Sequence, residues 1–221
     1  YNPYGHSERE YSYGEVLAQA AGQKFLPAGI MDRRGRPMRK LSNRGPRSFL
    51  PHLERFMSGL LEAALRYAEL GYPVFPCVGG RKAPLTPNGF HDATTIAEQI
   101  ETWWQRHPTA NIAIPTAGLV VIDVDGPANA WLADDPERLG DLLIGAVAST
   151  PGGGKHYIFR APDGAAIRCR TGQLAPKVDV RAEGGYILVP PSRVGGKPYQ
   201  FALGLELDQA RDQLPEPPAW L

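Results

Sequence analysis

The chain has 221 residues, 43% hydrophobic and 21% charged, with a formal net charge of +1. These are globular proportions that exclude wholesale disorder, and no apolar run approaches the ~20 residues a bilayer-spanning helix needs. The length suits one sizeable domain or a domain with an appendage, and the near-zero charge leaves any polyanionic partner to local basic patches.

Taken in order, residues 1–56 read as an extension and 57–221 as the main domain. Helix candidates at 13–23 and 50–56 flank a stretch in which Arg33, Arg34, Arg36, Arg39, Lys40, Arg44 and Arg47 face a single carboxylate, Asp32. A helix follows at 58–70, with Leu60, Leu61, Ala64, Leu65, Tyr67, Ala68 and Leu70 at helical spacing and Gly71 as its stop. Residues 73–77 read as a strand and 79–87 as a loop. Residues 95–107 read as a helix with Ile96, Ile100, Trp103 and Trp104 inward, ended by Pro108.

Strands are expected at 111–115 and 119–125, the second so apolar that it belongs in the middle of its sheet. A helix begins near Ala128, and further strands fall near 146–150, 155–160, 178–181, 186–189 and 198–201. Helices beside a mostly antiparallel series of strands predict an α+β or α/β sheet covered on one face by helices.

The chemistry concentrates in three places. In Leu119-Val-Val-Ile-Asp123-Val-Asp125-Gly126, strand alternation puts both carboxylates on one face. Two adjacent carboxylates repel, and a divalent cation held by carboxylates and substrate phosphates relieves that. Alternatively the aspartates end the strand and cap the following helix. In Val178-Asp179-Val180-Arg181, an aspartate again stands between valines, either as a third metal ligand or paired internally with Arg181. In Ser149-Thr-Pro-Gly-Gly-Gly-Lys155-His156, glycines expose N–H groups suited to phosphate oxygens, with Lys155 and His156 at the exit. The spacing is not that of a Walker loop, and His156 also reads as an ordinary core histidine.

The order Asp123-x-Asp125, Gly154-Lys155-His156, Val178-Asp179 resembles the three motifs of the archaeo-eukaryotic primase superfamily. It is most similar to the bifunctional primase-polymerase domain of plasmid, phage and mobile-element replication proteins. The likeness covers about 58–221 and takes in Arg81-Lys-Ala-Pro84, Asn88-Gly-Phe-His-Asp-Ala-Thr94, Trp103-Trp104, Asn111-Ile112, the run 184–192 and the Pro-rich close at 214–221.

The resemblance implies an RRM-like primase palm joined to an N-terminal α/β module, catalysing template-directed nucleotidyl transfer from dNTPs or NTPs. Asp123, Asp125 and Asp179 would hold two Mg²⁺ or Mn²⁺ ions roughly 4 Å apart. His156, Lys155 and Arg181 would grip the triphosphate. Gly154 departs from the small hydroxylic residue often found there, which passes that contact to Ser149 or Ser192. The implied partners are a single-stranded DNA template with its primer and, beyond Leu221 in a longer parent protein, a helicase domain.

Lys82 is either a template-phosphate contact or a solvated loop cation. Arg34 and Arg36 lie in Arg34-Gly-Arg-Pro37, which resembles the core of a minor-groove AT-hook; the basic segment as a whole reads as a DNA-tethering arm or as a surface hairpin. Trp103 and Trp104 read as core, and His91 and Asp92 as turn residues. Cys77, Cys169 and the five histidines form no zinc-spaced cluster, nothing favours a disulfide, and a soluble cytoplasmic protein is expected.

Two rivals remain. A metal-dependent phosphodiesterase or nickase needs paired histidines, of which the sequence offers only His156 near the candidate site. An RRM-like binding module would present aromatics and cations where this sheet presents aspartates.

Overall fold

The computed structural model describes residues 50–221, so the expected helix at 13–23 and the basic segment with Arg34 and Arg36 lie outside the described residues. The helix candidates at 50–56 and 58–70 are one helix, α1 (Leu50–Glu69), and the boundary expected at 56/57 falls inside it. Its apolar stripe buries Leu60, Ala64, Tyr67 and Ala68. Gly71, at φ 85°, lets the chain leave: its N–H donates to the Ala68 carbonyl at 3.0 Å, and the Tyr72 N–H to that of Tyr67 at 2.9 Å. That is the paired C-terminal lock that favours glycine, and the Tyr67 and Tyr72 rings meet edge to face across it.

Helix α2 (Ala97–Arg106) buries Ile100 and Trp104 beside α1. Ile96 is not inward as expected: it sits at the N-cap, largely exposed, because the helix begins one residue later. Strands β1 (Phe75–Cys77), β2 (Asn111–Pro115) and β8 (Tyr186–Leu188) form a three-stranded antiparallel sheet in the order β1-β2-β8.

The larger sheet has six strands, all antiparallel to their neighbours, in the order β11-β4-β5-β3-β7-β6. They are β3 (Leu119–Val124), β4 (Ala146–Ser149), β5 (Lys155–Arg160), β6 (Arg170–Ala175), β7 (Val178–Arg181) and β11 (Gln200–Phe201). A short ribbon, β9 (Arg193–Val194) with β10 (Lys197–Pro198), precedes β11, so the strand expected at 198–201 is divided.

As its apolarity predicts, β3 is interior and its alternation separates two cores. Leu119 and Val121, with Ala146 and Ile158, pack against α1, α2 and β2. Val120, Ile122 and Val124, with Tyr157, Phe159, Val178 and Val180, pack beneath α3 (Ala130–Ala133) and α4 (Pro136–Leu142). Helices therefore lie on both faces rather than one. Ile122 is fully buried, and truncating such a side chain to alanine typically costs about 2–5 kcal/mol.

The helix expected from Ala128 is two short helices, each with its own cap. The Asn129 side chain accepts from the Trp131 N–H at 3.0 Å, and that of Asp135 from the Arg138 N–H at 2.9 Å, with Pro136 opening the second helix. Asp125 caps neither, so the helix-cap reading of that residue falls away.

Candidate active site

Register decides which side chains share a face. Asp123 lies directly opposite His156 on β5 and directly opposite Asp179 on β7, with Ala148 continuing the row on β4. Opposed residues in an antiparallel pair point the same way. His156, Asp123 and Asp179 therefore stand in one line across three strands, on the face that carries the α1 core and just beyond its edge. Arg181, two residues after Asp179, joins them on that face.

The electrostatics follow from burial. The Asp123 carboxylate, only 13% exposed, is pushed above the usual carboxylate range by desolvation, and the Arg181 and Lys82 cations oppose the shift. One guanidinium nitrogen serves both aspartates: Arg181 Nη2 donates to Asp179 Oδ2 at 2.8 Å and to Asp123 Oδ2 at 3.3 Å. The internal Asp179–Arg181 contact weighed from the sequence thus exists, with Asp123 in it as well. Asp179 Oδ1 accepts the Gly172 N–H at 2.9 Å, an amide aimed inward by the irregular β6–β7 pairing.

The imidazole of His156 is buried and lowered to about 3 by desolvation first and by the Lys82 and Arg181 cations second. It is neutral near pH 7, so the 3.5 Å approach of Nε2 to Asp123 Oδ1 is not an ion pair. Its Nδ1 is buried with no hydrogen-bond partner among the described residues.

Asp125 lies one step past β3. Its N–H donates to the Lys177 carbonyl, its side chain is exposed, and it lines an adjoining groove with Gly126, Trp131, Arg138 and Lys177. Gly154 faces it where β5 begins. A Cβ there would press into the Val124 carbonyl oxygen and stand 3.0 Å from Asp125 Cα, so the hydroxylic residue often found at this position has no room.

Three sequence-based candidates are not brought to the row. Lys155 and Ser149 pair with one another and, through Lys155, with Val124, on the opposite side of the pleat from His156. Ser192 is fully buried, accepting from the Ile112 N–H at 2.8 Å and donating to the Ile112 carbonyl, which ties β2 to the turn after β8 and leaves no hydroxyl for a ligand.

Other residues are brought in that sequence reasoning had given lesser roles or none. A cavity of about 370 Å³ opens at Asp123 and His156, lined as well by Arg181, Lys82, Phe90, Tyr186, Tyr199 and Cys169. Both cysteines are free. A larger cleft of about 890 Å³ lies at the opposite end of β3, beside Gly118, Arg160 and Arg211, away from every candidate carboxylate. Trp104 is core and Trp103 half-buried against it, as expected. Asp92 orders its turn by accepting from the Asn88 N–H and side-chain amide at 2.8 and 2.9 Å. No helix among the described residues is long and apolar enough to cross a membrane.

An antiparallel palm that holds opposed aspartates on its central strands, beside a cavity lined by basic and aromatic residues, fits a protein of the nucleotidyltransferase type. The sequence agrees: residues 64–220 match the bifunctional DNA primase/polymerase N-terminal domain, more than two thirds of the chain, and the chain belongs to that family. No curated protein matches the sequence.

Proposed function

We propose that the chain is a DNA primase-polymerase that adds dNTPs or NTPs to a primer on a single-stranded DNA template. The observation that carries this reading is the cross-strand row His156–Asp123–Asp179, whose first two members line the cavity, within a domain of the primase/polymerase family.

The donor set suits a hard divalent cation. Asp123 and Asp179 offer carboxylate oxygens in direct opposition, and Asp125 lies just past the strand end beside the adjoining groove. Among the described residues no three His, Cys, Asp or Glu side chains form a ready cage. Mg²⁺ does not need one, because it is usually held by one or two carboxylates and completed by waters and substrate phosphates. When bound, Mg²⁺ or Mn²⁺ would lower the pKa of the attacking hydroxyl and neutralise charge on the departing pyrophosphate.

The rest is the work of the chain itself. Asp123 and Asp179 supply the negative pole, and Asp125 adds a third, exposed carboxylate just past the strand end. Arg181, released from the two carboxylates, is the phosphate donor nearest the row. His156, neutral and desolvated, offers an N–H without bringing water, and its buried Nδ1 has no protein partner among the described residues.

The test is incubation of the full chain with primed and unprimed single-stranded template, labelled dNTPs or NTPs, and Mg²⁺ or Mn²⁺. Primer extension that disappears in Asp123→Ala and Asp179→Ala is expected. Folded variants that extend at the wild-type rate would overturn the reading.

A further inference from the structure

The loop between β1 and the short 3-10 helix at Gly89–Asp92 carries more restraint than a surface loop needs. Three consecutive carbonyls of it are held by distant donors. The Gly80 carbonyl accepts the Gly195 N–H at 3.3 Å, that of Arg81 accepts Asn111 Nδ2 at 2.8 Å, and that of Lys82 accepts the Tyr186 hydroxyl at 3.0 Å. Asn111, 2% exposed at the start of β2, also donates to the Arg193 carbonyl at 2.7 Å and accepts its N–H at 2.9 Å. A buried amide with its hydrogen bonds this fully satisfied is rigid, since losing one partner would strand a desolvated polar group.

What the restraint fixes is the exit direction of Lys82. Lys82 lines the 370 Å³ cavity together with Asp123, His156 and Arg181. No hydrogen bond or ion pair engages its ammonium among the described residues. The charge is nonetheless felt inside: desolvation raises Asp123, and Lys82, after Arg181, opposes that rise, while at His156 Lys82 adds to the lowering that desolvation leads. A cation that lines the same cavity as the Asp123 carboxylate, acting on it without pairing with it, leaves space for a group that joins both.

We propose that Lys82 is a ligand of the incoming nucleotide's phosphates, presented to the cavity by a loop that Asn111 and Tyr186 hold in place. This rests on the proposed function of the row, and it deepens that reading by assigning a phosphate cation besides Arg181. It takes the place that Lys155, on the other side of the pleat, cannot fill. A phosphate chain between Lys82 and Arg181 would lie along the cavity with its metal-binding oxygens toward Asp123. The competing role, contact with template phosphates, would use the same ammonium from outside the cavity.

The experiment separates them with Lys82→Gln and Lys82→Arg in the full chain, beside His156→Ala as a reference. Binding of dATP and of inorganic tripolyphosphate, each with Mn²⁺, is measured by calorimetry, and binding of a labelled single strand across a salt series by anisotropy. Lys82→Gln should weaken dATP and tripolyphosphate alike by about tenfold, the scale of one charge-assisted contact, with Lys82→Arg restoring most of it. The salt slope for DNA should be unchanged. A slope reduced by about 0.7 with unchanged dATP affinity would make Lys82 a template contact and overturn the proposal. If His156→Ala weakens dATP and Lys82→Gln does not, the proposal fails and the assignment of the row survives. If neither variant changes dATP binding, both fall.

Discussion

Arg181 occupies the space between the two aspartates that a divalent cation would claim, and this makes Arg181→Met the most informative single change. The substitution keeps an unbranched apolar stem and removes the nitrogen that bridges Asp179 at 2.8 Å and Asp123 at 3.3 Å. Two carboxylates in directly opposed positions then keep only the Gly172 N–H on Asp179 and the Lys82 charge acting on Asp123. A fully buried charge stripped of its partner costs about 3–5 kcal/mol; Arg181 is 37% exposed, so screening reduces this to roughly 1–3 kcal/mol. For a domain this size that is a fall in Tm of about 2–4 °C per kcal/mol.

Metal should reverse the order of stability. In the wild type an entering ion displaces one good charge-assisted bond and one long one, worth roughly 1.5–3 kcal/mol, which weakens nucleotide-free affinity about ten- to a hundredfold. The Met variant lacks that competitor. It should bind Mn²⁺ at least about tenfold tighter without nucleotide, and a hundredfold excess over Kd should stabilise it by about 2.7 kcal/mol. With nucleotide present the ranking inverts, because the variant has lost a phosphate donor.

Acid offers an independent check. Removing the guanidinium raises Asp123 further, and a carboxyl raised by folding stabilises the folded state most when protonated, an advantage lost as pH rises through the raised value. The variant's deficit should therefore shrink as pH falls through that raised value. Thermal melts over a MnCl₂ series and manganese titrations by electron paramagnetic resonance read all three effects. Equal Mn²⁺ affinity in the two proteins, without nucleotide, would refute the competition argument.

Asp123→Ala and Asp125→Ala should each cut primer extension by at least about 10²-fold, the scale of lost charge stabilisation, while circular dichroism and melting show a folded chain. His156→Ala should raise the nucleotide Kd and lower turnover with little change in DNA affinity, as competition binding would show. His156 is held neutral down to about pH 3 but protonates near 6.5 when unfolded, so the wild type should lose up to ~1.4 kcal/mol of stability per pH unit below 6.5. Urea melts of His156→Gln at pH 7 and 5.5 should lack that component. Deleting residues 1–47 removes the seven cations at 33–47, and should flatten the salt dependence of single-strand binding by about 0.7 per lost phosphate contact while single-nucleotide insertion survives; identical slopes would exclude a DNA-tethering role for the segment.

Much of the palm was legible because its signals are local. Leu119–Val124 announces an interior strand by being apolar on both faces, and the valines around Asp179 make that aspartate conspicuous. The cross-strand row was legible only as motifs, since nothing in a linear pattern fixes which residue of β5 or β7 stands opposite Asp123. Strand β6 escaped notice for a physical reason: Arg170-Thr-Gly-Gln-Leu-Ala175 is an exposed edge with a register shift, so it lacks the period-two apolar signal. Lys155 misled because sequence adjacency to His156 suggests a shared site, whereas the pleat parts consecutive side chains. Lys82 could be placed only by three long-range hydrogen bonds to its loop. The one hint was Asn111, a polar residue opening an apolar strand, which must find buried partners.

The pairing of β2 with β8 reaches into the life of the nascent chain. Strand β2 is complete at residue 115, yet the neighbour that covers its second edge begins at residue 186, about 70 residues later. At roughly 5–20 residues per second, the ribosome leaves Ala113 and Ile114 on an uncovered edge for about 4–15 s. The same delay governs Lys82, because the tyrosine that fixes its carbonyl is the first residue of β8. By then β3, β5 and β7 have all been synthesised. The Lys82 loop and the acidic row are therefore completed together, late in synthesis, and a chain halted short of β8 would keep the β2 edge uncovered.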